Sequence, residues 1–568
     1  MKLFKNIKKW FENQEYLFYL FLIILIVPNA VLCFTESLPL PAKICNVLLP
    51  FSIYYIVMTW SRNCGKTFWI LFPFLFLGAF QLVLLSLFGQ SVIAVDMFLN
   101  LVTTNSSEAL ELLDNMAPAI VFVVILYIPA LVLATISIVR RRQLSEAFIH
   151  RERKCACGAL AIGILSLGVA YLFSDRYEMK SELYPANVCY NIGLAVQRTV
   201  LTQNYHKTSK DFTFHARDTH PADKREVYVA VIGETSRACN WSLYGYERNT
   251  NPELSSLWGV TAFSHVLTES NTTHKSVPML LSSVNAHNFD SIYYRKSIIT
   301  AFKEAGYRTA FFSNQRYNHS FIDFFGKEAD TFDFIKEDVA DTSYNPSDEE
   351  LLKLVEVELA KGAPKLFIVL HTYGSHFNYR ERYPSDRAFF LPDTPVEAKI
   401  KYKDNLVNAY DNSIRYTDHF LAQLIRMLQE QNIDAAMLYT SDHGEDIFDD
   451  SRHLFLHASP VPSYYQIHVP FLIWMSRSYQ QTYPSLQKAV QENKQKNISS
   501  SVSFFHTMLE LGGIASFYRN DSLSVTNTLF TEKMRTYLND HNKARTLDDV
   551  GMHKKDFKEL TKRGICYK

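Results

Sequence analysis

Apolar positions are distributed very unevenly along this chain. Before residue 175 they form long, almost unbroken runs; after residue 200 they come as short blocks between polar segments. Five runs stand out in the first part: Tyr16–Phe34, Cys45–Trp60, Thr67–Phe88, Pro118–Val139 and Cys155–Phe173. A helix needs about 20 mostly apolar residues to cross the hydrocarbon core of a bilayer, so these runs predict five membrane-spanning helices. Cys45–Trp60 is short and reaches that length by extending backward through Pro41. Tyr16–Phe34 reads as an anchor rather than a cleaved leader, because no small-residue cleavage site follows it and further spans do.

The second part has a different rhythm. Ser181–Leu201 reads as an amphipathic helix lying along the membrane, and Thr202–Arg225 as a polar connector. From residue 226, short β-rich apolar blocks alternate with helix-like segments. Val227–Ile232, Thr309–Phe312, Leu366–Leu370, Ala436–Thr440 and Phe471–Trp474 are buried-strand candidates; Glu349–Ala360 and Tyr416–Gln431 are helix candidates. Such alternation predicts an α/β domain, a mostly parallel sheet sandwiched by helices. The expected layout is therefore a membrane domain at 1–175, an amphipathic helix and connector at 176–225, and an α/β domain at 226–568.

Charge gives this layout a direction. Lys2, Lys5, Lys8 and Lys9 precede the first run, Arg62 and Lys66 occupy the second loop, and Arg140, Arg141, Arg142, Arg151, Arg153 and Lys154 the fourth. The third loop, Gln90 to Ala117, has no Lys or Arg but carries Asp96, Glu108, Glu111 and Asp114. Positively charged loops stay inside, so the N-terminus is expected in the cytoplasm and everything after residue 175 outside it. The net charge of +1 gives no general field for nucleic acid. Of eight cysteines only Cys189, Cys239 and Cys566 fall in the exported part, too few for a disulfide framework, although one bridge is permitted there.

In a parallel sheet, ligands bind outside the carboxyl ends of the strands. Three predicted strand ends are unusually polar: Gly233-Glu234-Thr235-Ser236-Arg237, His371-Thr372-Tyr373-Gly374-Ser375-His376 and Ser441-Asp442-His443-Gly444-Glu445. Glu234, His371, His376, Asp442 and His443 would then meet at one edge, a nitrogen and oxygen donor set that suits zinc. A single strand-end carboxylate or histidine is more often a cap or a solvated residue; the convergence of three such ends points to chemistry.

The segment YTSDHGED resembles the metal-binding signature of the alkaline phosphatase/sulfatase superfamily. VIGETSRACNWSLYGYERNTNPEL (231–254), HTYGSHFNYRERYP (371–384), YDNSIRYTD (410–418) and FLHASP (455–460) narrow the resemblance to the phosphoethanolamine transferases, a family that includes enzymes conferring polymyxin resistance. The resemblance covers the whole chain, with its spans, connector and α/β domain in order.

That resemblance implies a bacterial inner-membrane transferase with a periplasmic catalytic domain. Such an enzyme takes phosphoethanolamine from phosphatidylethanolamine and passes it to lipid A or to the lipopolysaccharide core through a covalent threonine intermediate. It also implies the cofactor Zn2+, with Glu234, Asp442 and His443 as metal ligands. The family's nucleophile, also a metal ligand, lies shortly before a Ser-Val-Pro, here Ser276-Val277-Pro278. This selects Thr273, with Thr272 adjacent. His371, His376 and His457 match histidines of the family's pocket that bind phosphate, protonate the leaving alkoxide or hold a second metal; His453 competes with His457 for its place. Asn314 matches a substrate contact. Asn100, Thr104 and Glu108, spaced to form one stripe on a helix, match residues that hold the donor headgroup, and Glu108 suits an ethanolamine ammonium.

One departure from the family bears on the acceptor. Several lipid A-directed members bracket the nucleophile segment with a disulfide, whereas here Glu269 and Met279 flank it. A periplasmic glucan therefore stands as an alternative acceptor. A phosphoglycerol transferase of the lipoteichoic-acid-synthase type is the rival activity. A non-catalytic envelope protein would not need Glu234, Thr273, Asp442 and His443 together.

Overall fold

The structure, a computed structural model, describes residues 12–36, 38–88, 93–103, 106–174, 177–337 and 345–567, with the side chains of 86–88, 100–103 and 106–116 outside that description. The chain divides into two compact units: one takes the residues up to Leu101 and Leu112–Gln197, the other Val102–Glu111 and the residues from Arg198 onward.

The first unit is helical: α1 (Gln14–Thr35), α2 (Leu40–Met58), α3 (Cys64–Ile70), α4 (Phe72–Phe88), α5 (Val95–Thr103), α6 (Ser106–Val139) and α7 (Glu146–Phe173). Among the described residues, four helices are long and apolar enough to cross a membrane. The number rises to five if the pair α3 and α4, bent by 61°, is one span. The run Thr67–Phe88 is thus a broken helix rather than a straight one. The second span does extend backward, starting at Leu40.

Several polar side chains inside this unit find hydrogen-bond partners, which offsets the cost of their burial in an apolar medium. Asn29 Nδ2 donates to the carbonyls of Asn46 and Tyr184, each at 2.8 Å, and the Tyr177 hydroxyl donates to Asn46 Oδ1 at 2.6 Å. Phe76, Ile125, Leu165 and Leu172 point outward and stay exposed, which suits a hydrocarbon surrounding.

After α8 (Ala186–Gln203), the second unit is built on a seven-stranded sheet. Its strands are β1 (Glu226–Gly233), β2 (Val260–Ala262), β3 (Arg308–Ser313), β4 (Thr331–Phe334), β5 (Lys365–His371), β6 (Asp434–Ser441) and β7 (Phe471–Met475), in the order β2–β7–β6–β1–β5–β3–β4. β6, β1, β5, β3 and β4 run parallel, and near one edge β7 runs antiparallel to both of its neighbours, β6 and the edge strand β2. β1 is buried along its whole length, so both faces of the sheet are covered. On one face Tyr228, Ala230, Ile232, Phe367 and Val369 share a core with Phe302, Phe504 and Met508. The rings of Phe302 and Phe367 stack there at 3.8 Å.

Register aligns the strand ends. Ile232 pairs with His371, Gly233 with Ser441 and Ser313 with His371. The residues that follow, Glu234, Thr372, Asn314 and Asp442, therefore leave the sheet at one edge. At the other end of β1, the buried carboxylate of Glu226 accepts from Lys365 at 2.7 Å and from Tyr483 at 2.8 Å, with His220 Nδ1 at 3.1 Å.

Candidate active site

Three turns bring the cluster together. After β1 the backbone enters the left-handed region at Thr235 (φ 60°), a conformation uncommon for a β-branched residue. This turn aims the Thr235 N–H at Asp442 Oδ1, 3.2 Å away. After β5 the chain turns at Gly374 (φ 52°), where a Cβ would lie 2.6 Å from the Glu234 carbonyl oxygen; only glycine lets the backbones pass so closely. After β6 comes Asp442-His443. The His443 N–H donates to Asp442 Oδ1 at 2.7 Å and the Ser276 hydroxyl to Oδ2 at 3.1 Å.

Glu234, Asp442 and His443 each offer one ligand atom, and these atoms lie within 4.8 Å of one another in a buried position. His443 Nδ1 is 2.9 Å from the Gly444 carbonyl, which fixes the proton on Nδ1 and leaves Nε2 as an acceptor. Nε2 lies 3.3 Å from Asp442 Oδ2 and 3.4 Å from Glu234 Oε1. Burial pushes the Asp442 carboxyl up, against the pull of the His443 imidazole. Burial also opposes charge on His443, yet the carboxylates of Asp442 and Glu234 outweigh it and raise its pKa. Two acidic groups and an imidazole so arranged favour a cation among them, and the donor set fits zinc.

Thr273 completes the group. Its Oγ1 stands 3.2 and 3.4 Å from the two Glu234 oxygens and 3.2 Å from His443 Nε2. It is also the first residue of α9 (Thr273–Leu280), where the helix dipole favours negative charge. The adjacent Thr272 hydroxyl is instead 3.1 Å from Ser270 Oγ.

The histidines divide. The ring of His457 lies 4.2 Å from that of His443 and 5.9 Å from that of His376, whereas His453 is exposed on the preceding turn. His376 is fixed by the Phe377 carbonyl at 2.6 Å and stacks on Tyr373. Burial lowers the pKa of His376 and of His457 to about 3, so both rings are neutral at pH 7. His371 turns Nδ1 to Ser313 Oγ at 3.1 Å, and no hydrogen bond among the described residues ties it to the cluster. Asn314 is fully buried and donates to the Pro346 carbonyl and to Asp348 Oδ1. Thr104 and the side chains of Asn100 and Glu108 lie outside the described residues.

Three further residues belong to the site. Gln315 Nε2 donates to Glu234 Oε2 at 3.0 Å, Ser276 holds Asp442, and Glu445 Oε1 lies 2.9 Å from His457 Nδ1. Burial pushes the Glu445 carboxyl up to about 8, while its other oxygen accepts from Tyr379 at 2.7 Å. Each had a sequence signal. Gln315 and Glu445 follow strand ends, and Ser276 lies one helical turn beyond Thr273.

Comparison with known proteins gives a consistent picture. A family model described as Sulfatase matches residues 226–514, and one described as Phosphoethanolamine transferase EptA/EptB matches residues 50–200. Phosphoethanolamine transferase EptC of Escherichia coli strain K12 is 29% identical over 330 residues, 56% of each protein. The chain thus spans about half the length of the curated relatives it matches. The C-terminal periplasmic domain of Escherichia coli EptC, solved in complex with Zn, is 27% identical and covers 59% of this chain and 96% of that one, with a TM-score of 0.54. The integral membrane protein lipooligosaccharide phosphoethanolamine transferase A of Neisseria meningitidis covers 90% of this chain and 97% of its own at 21% identity. Its TM-score of 0.69 is a likeness of fold.

Proposed function

We propose, for a chain that belongs to the phosphoethanolamine transferase family within the alkaline phosphatase/sulfatase superfamily, that it moves phosphoethanolamine from phosphatidylethanolamine to lipid A or the lipopolysaccharide core. It does so in the bacterial inner membrane, with its N-terminus cytoplasmic and its α/β unit periplasmic. The observation that carries this reading is the Thr273 hydroxyl within 3.4 Å of both Glu234 and His443, beside Asp442.

Glu234, Asp442, His443 and Thr273 would hold the zinc, which supplies Lewis-acid activation of a hydroxyl and of a phosphoryl oxygen. Thr273 Oγ attacks the phosphorus of the donor, and the bond from phosphorus to the diacylglycerol oxygen breaks. Phosphoethanolamine is then esterified to Thr273. His457 and His376, both neutral in the resting site, would take the threonine proton and return it to the diacylglycerol oxygen. The acceptor oxygen then attacks the same phosphorus, the bond from phosphorus to Thr273 Oγ breaks, and the acceptor's proton passes to Thr273 Oγ, which restores the hydroxyl. Phosphoryl transfer of this kind depends mainly on positioning and charge stabilisation. Asn100, Thr104 and Glu108 would hold the donor headgroup, with Glu108 against the ammonium.

The test is mass spectrometry of envelope glycolipids from cells with and without the protein. A phosphoethanolamine gain, located by fragmentation, is expected, and its absence refutes the reading. Intact-protein mass spectrometry should show an adduct that Thr273→Ala removes; an adduct persisting on Thr272 overturns the nucleophile. Turnover of phosphatidylglycerol in place of phosphatidylethanolamine would establish the phosphoglycerol reading instead.

A further inference from the structure

Two residues before Thr273, the Asn271 side chain is buried and fully engaged. Its Oδ1 accepts from the Tyr537 hydroxyl at 2.6 Å, and its Nδ2 donates to the Ser459 carbonyl at 2.8 Å and to Gln466 Oε1 at 2.5 Å. Gln466 is held in turn, its Nε2 donating to Asp446 Oδ2 at 2.7 Å. The backbone joins in, with the Ala458 N–H donating to the Asn271 carbonyl at 3.2 Å. Asn271 therefore ties the segment that carries Thr273 to residues 458 and 459, immediately after His457.

The other side of this tie is the segment Arg535–Asn539, which lies beyond the residues that match the sulfatase model. Thr536 donates to Glu269 Oε1 at 2.5 Å, and the Leu538 N–H donates to the Glu269 carbonyl at 2.7 Å. Lys275 Nζ reaches the Asn539 carbonyl at 3.3 Å. Glu269 Oε2 accepts the Ala286 N–H at 2.8 Å. Arg535 anchors the segment itself, donating to the carbonyls of Ile498, His265 and Cys566. Residues 269, 271 and 275 thus bracket Thr273 on both sides, and each is held by one short stretch.

We propose that this stretch is a positioning clamp, and that Asn271 and Tyr537 are positioning residues that set the separation of Thr273 from His457. The inference rests on the reading of Thr273 as nucleophile. Neither residue touches the reacting atoms; both act through the backbone of 271–273 and the turn at 457–459. Small misplacements of reacting groups are expensive in rate, while Glu234, Asp442 and His443, three of the four residues read as metal ligands, sit at other strand ends and keep their places.

The experiment uses the full chain in detergent with vesicle-embedded phosphatidylethanolamine. Tyr537→Phe should lower kcat and the rate of Thr273 adduct formation about tenfold or more, with KM for the donor and zinc content unchanged. Tyr479→Phe, which removes another buried hydroxyl from the Leu511 carbonyl, serves as control and should lower thermal stability without this loss of rate. A Tyr537→Phe protein with kcat within twofold of the parent, or with no more loss than Tyr479→Phe, overturns the clamp. Asn271→Ala should show a larger fall of the same kind; should it fail to fold, the Tyr537→Phe rate decides alone. If instead Thr273→Ala retains transfer, the nucleophile reading has failed, an outcome distinct from failure of the clamp.

Discussion

Replacing Ser276 by alanine tests the second layer of the metal cluster. Ser276 lies on α9 with its hydroxyl 3.1 Å from Asp442 Oδ2 and 3.0 Å from the Thr272 carbonyl, which shares its proton; among the described residues it is one of three groups that hydrogen-bond that carboxylate. Among the described residues, the substitution removes the only such bond made by a side chain and leaves the two backbone bonds at Oδ1. A hydrogen bond to an ionised group contributes about 1.5–3 kcal/mol, and partners that orient a metal ligand typically account for about 10–100-fold in affinity. Alanine is also the better helix former, so folding should survive. Ser276→Ala is therefore expected to weaken zinc binding roughly 10–100-fold, measured by competition with a chromogenic chelator. Ser282→Ala is the control: that hydroxyl donates to the Pro278 carbonyl at 2.6 Å and makes no bond to a ligand, so zinc affinity should hold. If Ser276→Ala binds zinc within twofold of the parent, Asp442 does not depend on this contact, and the reasoning fails.

Other tests reach different parts of the chain. Glu234→Ala or Asp442→Ala should each lower the zinc content of purified protein and abolish transfer; unchanged metal analysis would remove them from the ligand set. Glu226, despite burial that works against its charge, is drawn down from 4.5 to about 2 by His220 and Lys365. Its stabilisation is complete above pH 4.5 and is lost as pH falls through about 2, a contribution of roughly 3 kcal/mol. Glu226→Gln should lower stability at neutral pH and flatten the acid limb of denaturant midpoints against pH; parallel curves for the two proteins would refute this. Glu108→Ala should slow turnover of vesicle-embedded phosphatidylethanolamine while zinc content stays at the parent level, and unaltered turnover would return that stripe to an ordinary solvated helix face.

The central strands were legible because each is a short, continuous apolar block, and all five candidate blocks lie within β1, β3, β5, β6 and β7. The edge strands were not. Val260–Ala262 is three residues long, and Thr331–Phe334 is half exposed and carries Asp333, so neither shows a buried run. The long helix begins at Lys403, well before the expected Tyr416, because its first half buries polar residues. Asp411 accepts from Asn240 and Tyr246, and Asn412 from the backbone of Phe389 and Phe390; such a face has no apolar period to read.

At the site, strand-end logic gathers Glu234, Asp442 and His443 without coordinates, since register follows from strand length. It cannot separate His453 from His457. The backbone there takes positive φ at His453, Leu456 and Ala458, so residue spacing carries no direction. Gln315 poses the same problem, as it follows a strand end and only packing shows that its amide reaches Glu234.

The bonds around Asn271 and Glu269 also bear on the chemistry of the surroundings in which the molecule matures. All eight cysteines are free thiols, and the bonds described above that fasten the loop bearing Thr273 are hydrogen bonds made by amide, hydroxyl, carboxylate and ammonium groups. Its shape is therefore indifferent to thiol–disulfide exchange: a host with weak oxidative folding machinery, or a buffer rich in reductant, leaves it intact.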